Sequence, residues 1–244
     1  MPESTVRAIV LKRTDSGESD RRLTVLTHEQ GKIDVIAKGA RKSGSRLAGV
    51  SDPLAFAELQ IASGRHRSFV TQAQPITSLP GLREDYDRLL CGLAIAELAD
   101  AFLPYNAPAP EVFDAVADAL VSTAQASDPC VGLAWFGAWL LDHDGQMPDW
   151  RVCAATGAAI KMNPVWVSPL AGGAVCGAEA ETRPDCLRVS AEALIGISKS
   201  AELPVPPQTL KRSVECALVM HLMWTHKLER ELPAFEASVR SFRA

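Results

Sequence analysis

The chain of 244 residues is 47% hydrophobic and 22% charged, a composition that supports a sizeable core and argues against wholesale disorder. No apolar run approaches the roughly 20 residues of a membrane-spanning helix, and the first residues lack the basic and apolar regions of a signal peptide. We therefore expect a cytoplasmic protein with no membrane partner. The length fits two or three small domains better than one large domain.

Although the net charge is -4, positive charge is concentrated near the N-terminus. Residues 1–80 contain 12 Lys and Arg against 8 Asp and Glu, whereas residues 81–244 contain 13 against 21. A binding surface responds to its local field rather than to the total charge. The first 80 residues are therefore the candidate nucleic-acid face, and the acidic remainder is expected to avoid phosphate.

Five short strand-like runs follow one another in the first 80 residues, with no helix between them. They cover residues 6–13, 22–27, 32–37, 55–62 and 67–73. Such a series predicts a closed or nearly closed antiparallel barrel. Five strands with an irregular link between the third and the fourth are typical of the oligonucleotide/oligosaccharide-binding (OB) fold. Residues 75–81 break the pattern and are predicted to be a linker.

Helical periodicity replaces the strand pattern from residue 82 onward. Apolar residues recur with helical spacing over 82–103, over 111–124, between Asp128 and Gly145, and over 208–231. Ser190 is expected to cap a further short helix, and Pro233 to interrupt the last one before a short tail. Residues 147–184 show little periodicity, and a stretch this long needs something to hold it together.

The basic loop, residues 38–49, is the main candidate for binding phosphate. It contains Lys38, Arg41, Lys42 and Arg46 and no acidic residue. On composition alone, a solvated mobile loop is as good an interpretation as a binding site. Its place in an OB-like barrel favours binding, which would be independent of sequence and sensitive to salt. The same unit supplies further candidate cations: Arg7, Lys12, Arg13, Arg65 and Arg67.

The sequence carries no recognisable catalytic or nucleotide-binding motif. Gly39 to Ser45 has the glycine spacing of a P-loop, but Ser45 stands where that motif needs lysine, so no nucleotide cofactor is expected. The chain shows no nucleophile elbow, no HExxH and no dinucleotide fingerprint. We expect no catalytic residues and no enzymatic activity.

The six cysteines fall into two groups. Cys91, Cys130 and Cys216 lie in apolar helical patterns and are predicted to be buried small hydrophobes. Cys153 and Cys176 each stand where a zinc knuckle begins, but its second thiol is replaced, by Thr156 and Glu179 respectively. Cys186 would join them through a longer loop. The pattern predicts a knuckle-shaped fold whose zinc site, Cys153, Cys176 and Cys186, is weakened or lost.

Two sets of residues resemble the bacterial RecO family of DNA recombination and repair proteins. The N-terminal set comprises Gly17–Asp20, Leu23–Thr27, Glu29, Gly31, Lys32, Ala37–Arg41, Ser45 and Arg46. The second set comprises Trp135, Phe136, Leu140, Leu141, Gly145, Pro148, Cys153, Gly172, Gly173 and Cys176. The resemblance covers most of the chain, and its N-terminal part is the more specific.

The resemblance implies a multi-domain α+β fold. An N-terminal five-stranded OB-type β-barrel (1–80) would be followed by an α-helical domain in two parts (81–148 and 189–244). A small treble-clef, zinc-finger-like insertion (149–188) would separate those parts. The family's four zinc-binding cysteines would fall at Cys153, Thr156, Cys176 and Glu179, and two of them are missing here.

The resemblance also implies a non-catalytic function at the nucleoid. Such proteins bind single- and double-stranded DNA and anneal complementary strands. With RecR they help to load the RecA recombinase onto DNA coated by single-strand-binding protein (SSB). Two alternatives remain open: an OB-fold adaptor that binds proteins without binding DNA, and a nucleic-acid enzyme. The enzyme needs clustered carboxylates or an activated nucleophile, which the sequence does not show.

Overall fold

The computed structural model describes residues 3–161 and 163–242. Its N-terminal part is a closed five-stranded barrel in the order β1-β2-β3-β5-β4, which confirms the predicted OB-type barrel. Only β3 and β5 pair in parallel among these strands. The strands are β1 (Glu3–Ser16), β2 (Asp20–Thr27), β3 (Gly31–Ala37), β4 (Phe56–Ser63) and β5 (Ser68–Thr77).

The long strand β1 allows the barrel to close. Its register shifts between Val10 and Lys12, so that its first half pairs with β4 and its second half with β2. Such an irregularity bends a strand and lets it serve two neighbours. Apolar side chains that recur at alternate positions fill the interior. The barrel core contains Val6, Ala8, Val10, Leu23, Val25, Ile33, Val35, Ala37, Leu59, Ile61 and Val70.

The predicted linker at 75–81 is shorter than expected, because β5 continues to Thr77. Pro75 lies inside that strand, opposite Ala57. Proline removes a backbone donor and is confined to sheet edges and bulges. Pro75 satisfies this rule, since β3 pairs only with the first residues of β5, Ser68 to Val70, and the register with β4 is irregular beside Ala57.

Three regions of the helical part differ from prediction. Residues 82–103 form two helices, because Asp85 is extended and its carboxylate accepts a hydrogen bond from Arg88 N at 2.9 Å. The helix predicted over 208–231 spans only 213–227, since Arg212 has a left-handed backbone (φ 57°). Pro233 begins a helix instead of ending one. The helices are α1 (Gly81–Glu84), α2 (Tyr86–Phe102), α3 (Pro110–Gln125), α4 (Cys130–His143), α5 (Gly177–Ala180), α6 (Ala191–Ala201), α7 (Ser213–Lys227) and α8 (Pro233–Ser241).

Helix α4 lies at the centre of the helical core. It is apolar on nearly every side, with Trp135 and Phe136 fully buried, as expected of a helix surrounded by others. Asp128 accepts a hydrogen bond from Cys130 N at 2.9 Å and Gly145 has φ 67°, so both predicted ends are confirmed. None of the helices in the described part of the chain is long and apolar enough to cross a membrane.

The aperiodic segment is held together by a small sheet of its own. Strands β6 (Val165–Ser168), β7 (Gly173–Val175) and β8 (Leu187–Val189) pair antiparallel in the order β7-β6-β8. Val165 and Val167 of the central strand are buried in the helical core. The described residues of this stretch are therefore organised around a sheet.

The connection between α2 and α3 fastens the helical part to the barrel. Asn106 N donates a hydrogen bond to Lys32 O at 2.8 Å. Gly31, with φ 73°, lies so close that a Cβ there would stand 1.9 Å from Ala107 O. The Lys32 ammonium donates to the Asp100 backbone carbonyl at 2.6 Å. Through these contacts the α2–α3 connection is held beside the start of β3.

Candidate nucleic-acid interface

A groove crosses the outer face of β1, β2 and β3, and we call it the β2–β3 groove. It consists of two adjoining cavities of about 220 and 340 Å³ that share Arg22 and Asp34. This face, with the loop between β4 and β5, is where OB folds bind oligonucleotides. Its lining comprises Lys12, Arg13, Thr14, Ser16, Arg22, Thr24, Asp34, Ile36, His66, Arg67, Ser68 and Tyr105.

Strand register explains why polar side chains meet there. Lys12 stands opposite Thr24, and Thr24 stands opposite Asp34. Thr14 and Arg22 form the neighbouring row, two residues along each strand. Because alternate side chains of a strand point to the same face, both rows face outward. The buried residues between them face the core.

Arg22 occupies the centre of the groove. Its guanidinium pairs with the Asp34 carboxylate, which also accepts a hydrogen bond from the Thr24 hydroxyl at 2.8 Å. The hydrogen bond to Asp34, together with its negative charge, raises the pKa of Arg22 above its usual value. The sequence reasoning omitted Arg22, although its alternation with buried Leu23 indicates an outward-facing position.

Three of the predicted cations line the groove: Lys12, Arg13 and Arg67. Arg65 is exposed in the same β4–β5 turn as Arg67. Arg13 is already engaged within the protein, because its guanidinium forms an ion pair with Asp52. Lys12, Arg65 and Arg67 make no ion pair within 4 Å with any described residue. Their positive charges are therefore available to an anionic ligand.

The basic loop is fixed against the β1–β2 hairpin. Arg41 N donates to Ser19 O at 2.9 Å, and Gly39 N donates to the Asp20 carboxylate at 2.8 Å. The hydrogen bond from Gly39 lowers the pKa of Asp20, so this acceptor stays ionised at neutral pH. Lys38 does not extend freely from the loop, because its ammonium lies 4.4 Å from the centre of the Phe69 ring.

The remaining predicted cations point in several directions. Arg41 pairs with Asp15 at 3.4 Å, and Lys42 is exposed. Arg46 lines a separate cavity of about 360 Å³ between the barrel and α1. Arg7 lies against α3, with its guanidinium 5.9 Å from the centre of the Phe113 ring. The structure therefore brings Lys12, Arg13 and Arg67 together in the β2–β3 groove. The other predicted cations do not line it: Arg7, Lys38, Arg41, Lys42, Arg46 and Arg65.

Two of the three predicted zinc ligands, Cys153 and Cys176, lie next to each other. Cys176 N donates to Cys153 Sγ at 3.4 Å. Burial raises the pKa of the Cys153 thiol, but hydrogen bonds from the Thr156 side chain and from backbone N–H groups, that of Cys176 among them, outweigh it and lower the pKa to about 7. These hydrogen bonds favour the thiolate form of the Cys153 sulfur.

The donor set does not fit a tetrahedral zinc site, which needs four N, S or O ligands. Glu179, at the position of a missing cysteine, pairs with Arg183 at 3.3 Å. In residues 3–161 and 163–242, no group of three or more His, Cys, Asp or Glu side chains is arranged to hold a metal ion. Zinc binding by Cys153, Cys176 and Cys186 stays a prediction.

The predicted burial of the helical cysteines is confirmed. Cys91, Cys130 and Cys216 are fully buried. His221 is half-buried, with its ring 5.3 Å from that of Phe235, and burial lowers its pKa. These residues belong to the core and not to a site.

The two phenylalanines of the barrel strands are already occupied within the protein. Phe56 is buried, and the Lys38 ammonium lies against the ring of Phe69. Tyr105, in the α2–α3 connection, lines the groove and is 49% exposed. It was missed because it reaches the barrel only through the tertiary fold.

Two family models match the chain: Recombination protein O N terminal over residues 1–79, and Recombination protein O C terminal over residues 83–213. A relative from Anaeromyxobacter dehalogenans is 31% identical over 244 residues, which cover 96% of this chain and 95% of the relative. One from Roseiflexus sp. is 35% identical over 187 residues, covering 77% and 63%. One from Desulfitobacterium hafniense is 33% identical over 169 residues, covering 69% and 62%.

All three relatives carry the name DNA repair protein RecO. The chain spans a little less than two thirds of the length of the Roseiflexus and Desulfitobacterium proteins. The two models together cover the barrel and most of the helical part, which confirms the resemblance seen in the sequence. The chain belongs to the recombination protein O family.

Proposed function

We propose that this chain binds DNA through the β2–β3 groove and acts as a non-catalytic protein of DNA repair and recombination. The observation that carries the proposal is the set of cations from β1, β2 and the β4–β5 turn on the OB binding face. The family assignment supports the same function, since its relatives are named for DNA repair.

The chemistry of the groove suits a polyanion whose sequence is not read. Lys12, Arg65 and Arg67 provide charge for phosphates, and bound phosphates release counterions whatever the base sequence. Neutralising phosphates on two strands lowers their mutual repulsion, which is what annealing requires. We therefore include in the proposed function the binding of single- and double-stranded DNA and the annealing of complementary strands. It also includes help, together with RecR, in loading RecA onto SSB-coated DNA at the nucleoid.

The acidic groups of the groove argue against strand cleavage there. Asp34 is the one acidic residue among the described lining residues, and it is engaged by Arg22 and Thr24. Metal-assisted hydrolysis of phosphodiesters uses clustered acidic ligands around one or two ions. A single neutralised carboxylate supports binding and not catalysis.

The test is DNA binding titrated with salt, using Lys12, Arg65 and Arg67 changed together to Ala. We expect affinity for single-stranded and duplex DNA of any sequence to fall. The slope of log K against log salt should become shallower by about one for each phosphate that the variant no longer neutralises. A second variant, with Lys38, Arg41, Lys42 and Arg46 changed to Ala, measures how much the basic loop adds.

The matched control removes the same charge from the helical part of the chain. Lys161, Lys199 and Arg230 are exposed and lie outside the barrel, so changing them to Ala should leave the salt slope unaltered. Wild-type protein that fails to bind DNA at low salt, or a groove variant that behaves like this control, would overturn the proposal.

A protein-binding adaptor is the second candidate, and one observation favours it. Several barrel cations already pair with carboxylates: Arg7 with Glu29, Arg13 with Asp52, Arg22 with Asp34, and Arg41 with Asp15. A barrel so neutralised would suit a protein partner such as RecR. Capture of RecR by protein that binds no oligonucleotide at low salt would favour the adaptor.

A further inference from the structure

Tyr105 is the exposed aromatic side chain of the β2–β3 groove, although it belongs to the helical part of the chain. It lines the same cavity as Lys12, Arg22 and Asp34. Its ring adds a flat apolar surface to a groove whose other lining residues are mostly charged or hydroxyl-bearing. Ionic contacts with phosphate make no use of such a surface.

One face of the ring is supported by Lys32. Lys32 Nζ lies 4.4 Å from the ring centre, a distance at which the ammonium and the ring attract each other. Lys32 is only 5% exposed, and its ammonium is held by the Asp100 carbonyl at 2.6 Å and by the Asp100 carboxylate at 3.3 Å. Since the ammonium covers one face, the exposed part of the ring is its opposite face and edge.

The backbone beside the ring is fixed as well. Asn106 N donates to Lys32 O at 2.8 Å, and the glycine at 31 lets the chain approach closely enough for that bond. A ring held by its neighbours loses little side-chain freedom when a ligand stacks on it, so more of the stacking energy appears as affinity. Tyr105 is therefore prearranged to receive a flat group.

The surrounding charges indicate what that group is. The groove offers cations from β1, β2 and the β4–β5 turn beside one aromatic face. A nucleic-acid strand alternates anionic phosphates with flat bases. Base stacking on aromatic side chains beside a positively charged track is how strands are bound without regard to sequence. An acidic peptide would satisfy the cations but would offer the ring no base.

The geometry points to Tyr105 as a stacking position for one unpaired base of single-stranded DNA, with the groove cations holding the adjoining phosphates. This inference rests on the proposed function, because it takes DNA as the ligand, and it adds a preference for single strands. A base inside a duplex is already stacked and paired, and freeing it costs energy. The cations, by contrast, can bind the phosphates of single-stranded and of duplex DNA alike.

The experiment compares Tyr105→Leu and Tyr105→Phe with wild-type protein on oligodeoxythymidine and on a duplex of equal length. Tyr105→Leu is expected to lose about 5- to 150-fold in affinity for the single strand. Its affinity for the duplex and its salt slope should stay unchanged, because no cation is removed. Tyr105→Phe keeps the ring and should bind within about twofold of wild type.

Two controls make the result specific. Tyr86→Leu removes another tyrosine, 69% exposed at the start of α2, and should have no effect. A single strand of abasic residues offers phosphates without bases, so wild-type protein should bind it more weakly than oligodeoxythymidine, whereas Tyr105→Leu should bind both alike. Unchanged melting temperatures of the variants show that the fold is intact.

The outcomes separate the two proposals. If wild-type protein binds DNA and Tyr105→Leu binds the single strand within twofold of it, the stacking position is wrong while the proposed function stands. Equal losses on single strand and duplex would also overturn stacking, since they indicate a backbone contact. Wild-type protein that binds neither form would overturn both.

Discussion

Replacing Gly31 with Ala should destabilise the protein by displacing the α2–α3 connection from the barrel. Gly31 has φ 73°, and its added Cβ would stand 1.9 Å from Ala107 O. A left-handed backbone costs a residue with a side chain about 1–2 kcal/mol. Overpacking adds about 1–3 kcal/mol, and loss of the Asn106–Lys32 hydrogen bond adds about 0.5–1.5 kcal/mol.

Gly17→Ala is the matched control for the energetic cost of a side chain on a left-handed backbone. Gly17 also has a positive φ, 68°, but a Cβ there would meet nothing within 4 Å. The difference between the two variants is therefore the overlap and the hydrogen bond, about 1.5–4.5 kcal/mol. For a chain of this length, 1 kcal/mol lowers the melting temperature by about 2–4 °C.

Thermal unfolding followed by circular dichroism measures this difference. Gly31→Ala should melt about 3–18 °C below Gly17→Ala, and its affinity for single-stranded DNA should fall because Tyr105 moves with the connection. Equal melting temperatures for the two variants would refute the reasoning. They would mean that the connection moves aside at no cost, so that it is not clamped against β3.

Two further predictions concern helix α8 and His221 of α7, which packs against it. Phe235 is fully buried, so Phe235→Ala should cost about 3–5 kcal/mol in urea unfolding, and Phe242→Ala, at a partly buried position, should cost less; equal costs would contradict this. Burial lowers the pKa of His221, so as pH falls below about 6.5 the unfolded chain takes up a proton before the folded one, and stability should fall. His221→Leu should remove part of that pH dependence of stability. His226→Gln, at an exposed position, should leave the pH dependence unchanged. Identical pH profiles for the two variants would show that His221 is not responsible.

The barrel was predictable because its information is local. Alternating apolar residues specify each strand, and glycine at 31 supplies the turn into β3. The helical boundaries were less predictable, since an apolar face continues across residues 82–103 although Asp85 breaks the helix. Pro233 was taken to end a helix, but proline is equally suited to the first turn of a new one. The left-handed Arg212 carries no local signature at all.

The sequence predicts that the candidate interface is positively charged, but it does not predict how the charged side chains are arranged. The excess of Lys and Arg in residues 1–80 predicts a binding face on the same domain in which the β2–β3 groove lies. Which cations are paired depends on contacts between distant residues, as for Arg13 with Asp52 and Arg7 with Glu29. Arg22 was available from strand alternation, whereas Tyr105 required knowledge of how the α2–α3 connection crosses the barrel.

The groove is built by both parts of the chain, and Lys32 joins them. Its ammonium is almost wholly buried and must have a partner, because an unpaired buried charge costs several kcal/mol. Asp100 of α2 provides that partner, and Tyr105 lies over the same ammonium. Removing the helical part would leave Lys32 uncompensated and take away the aromatic wall of the groove. Under the proposed function, the barrel alone therefore contains the cations for phosphate but lacks the aromatic wall of the groove.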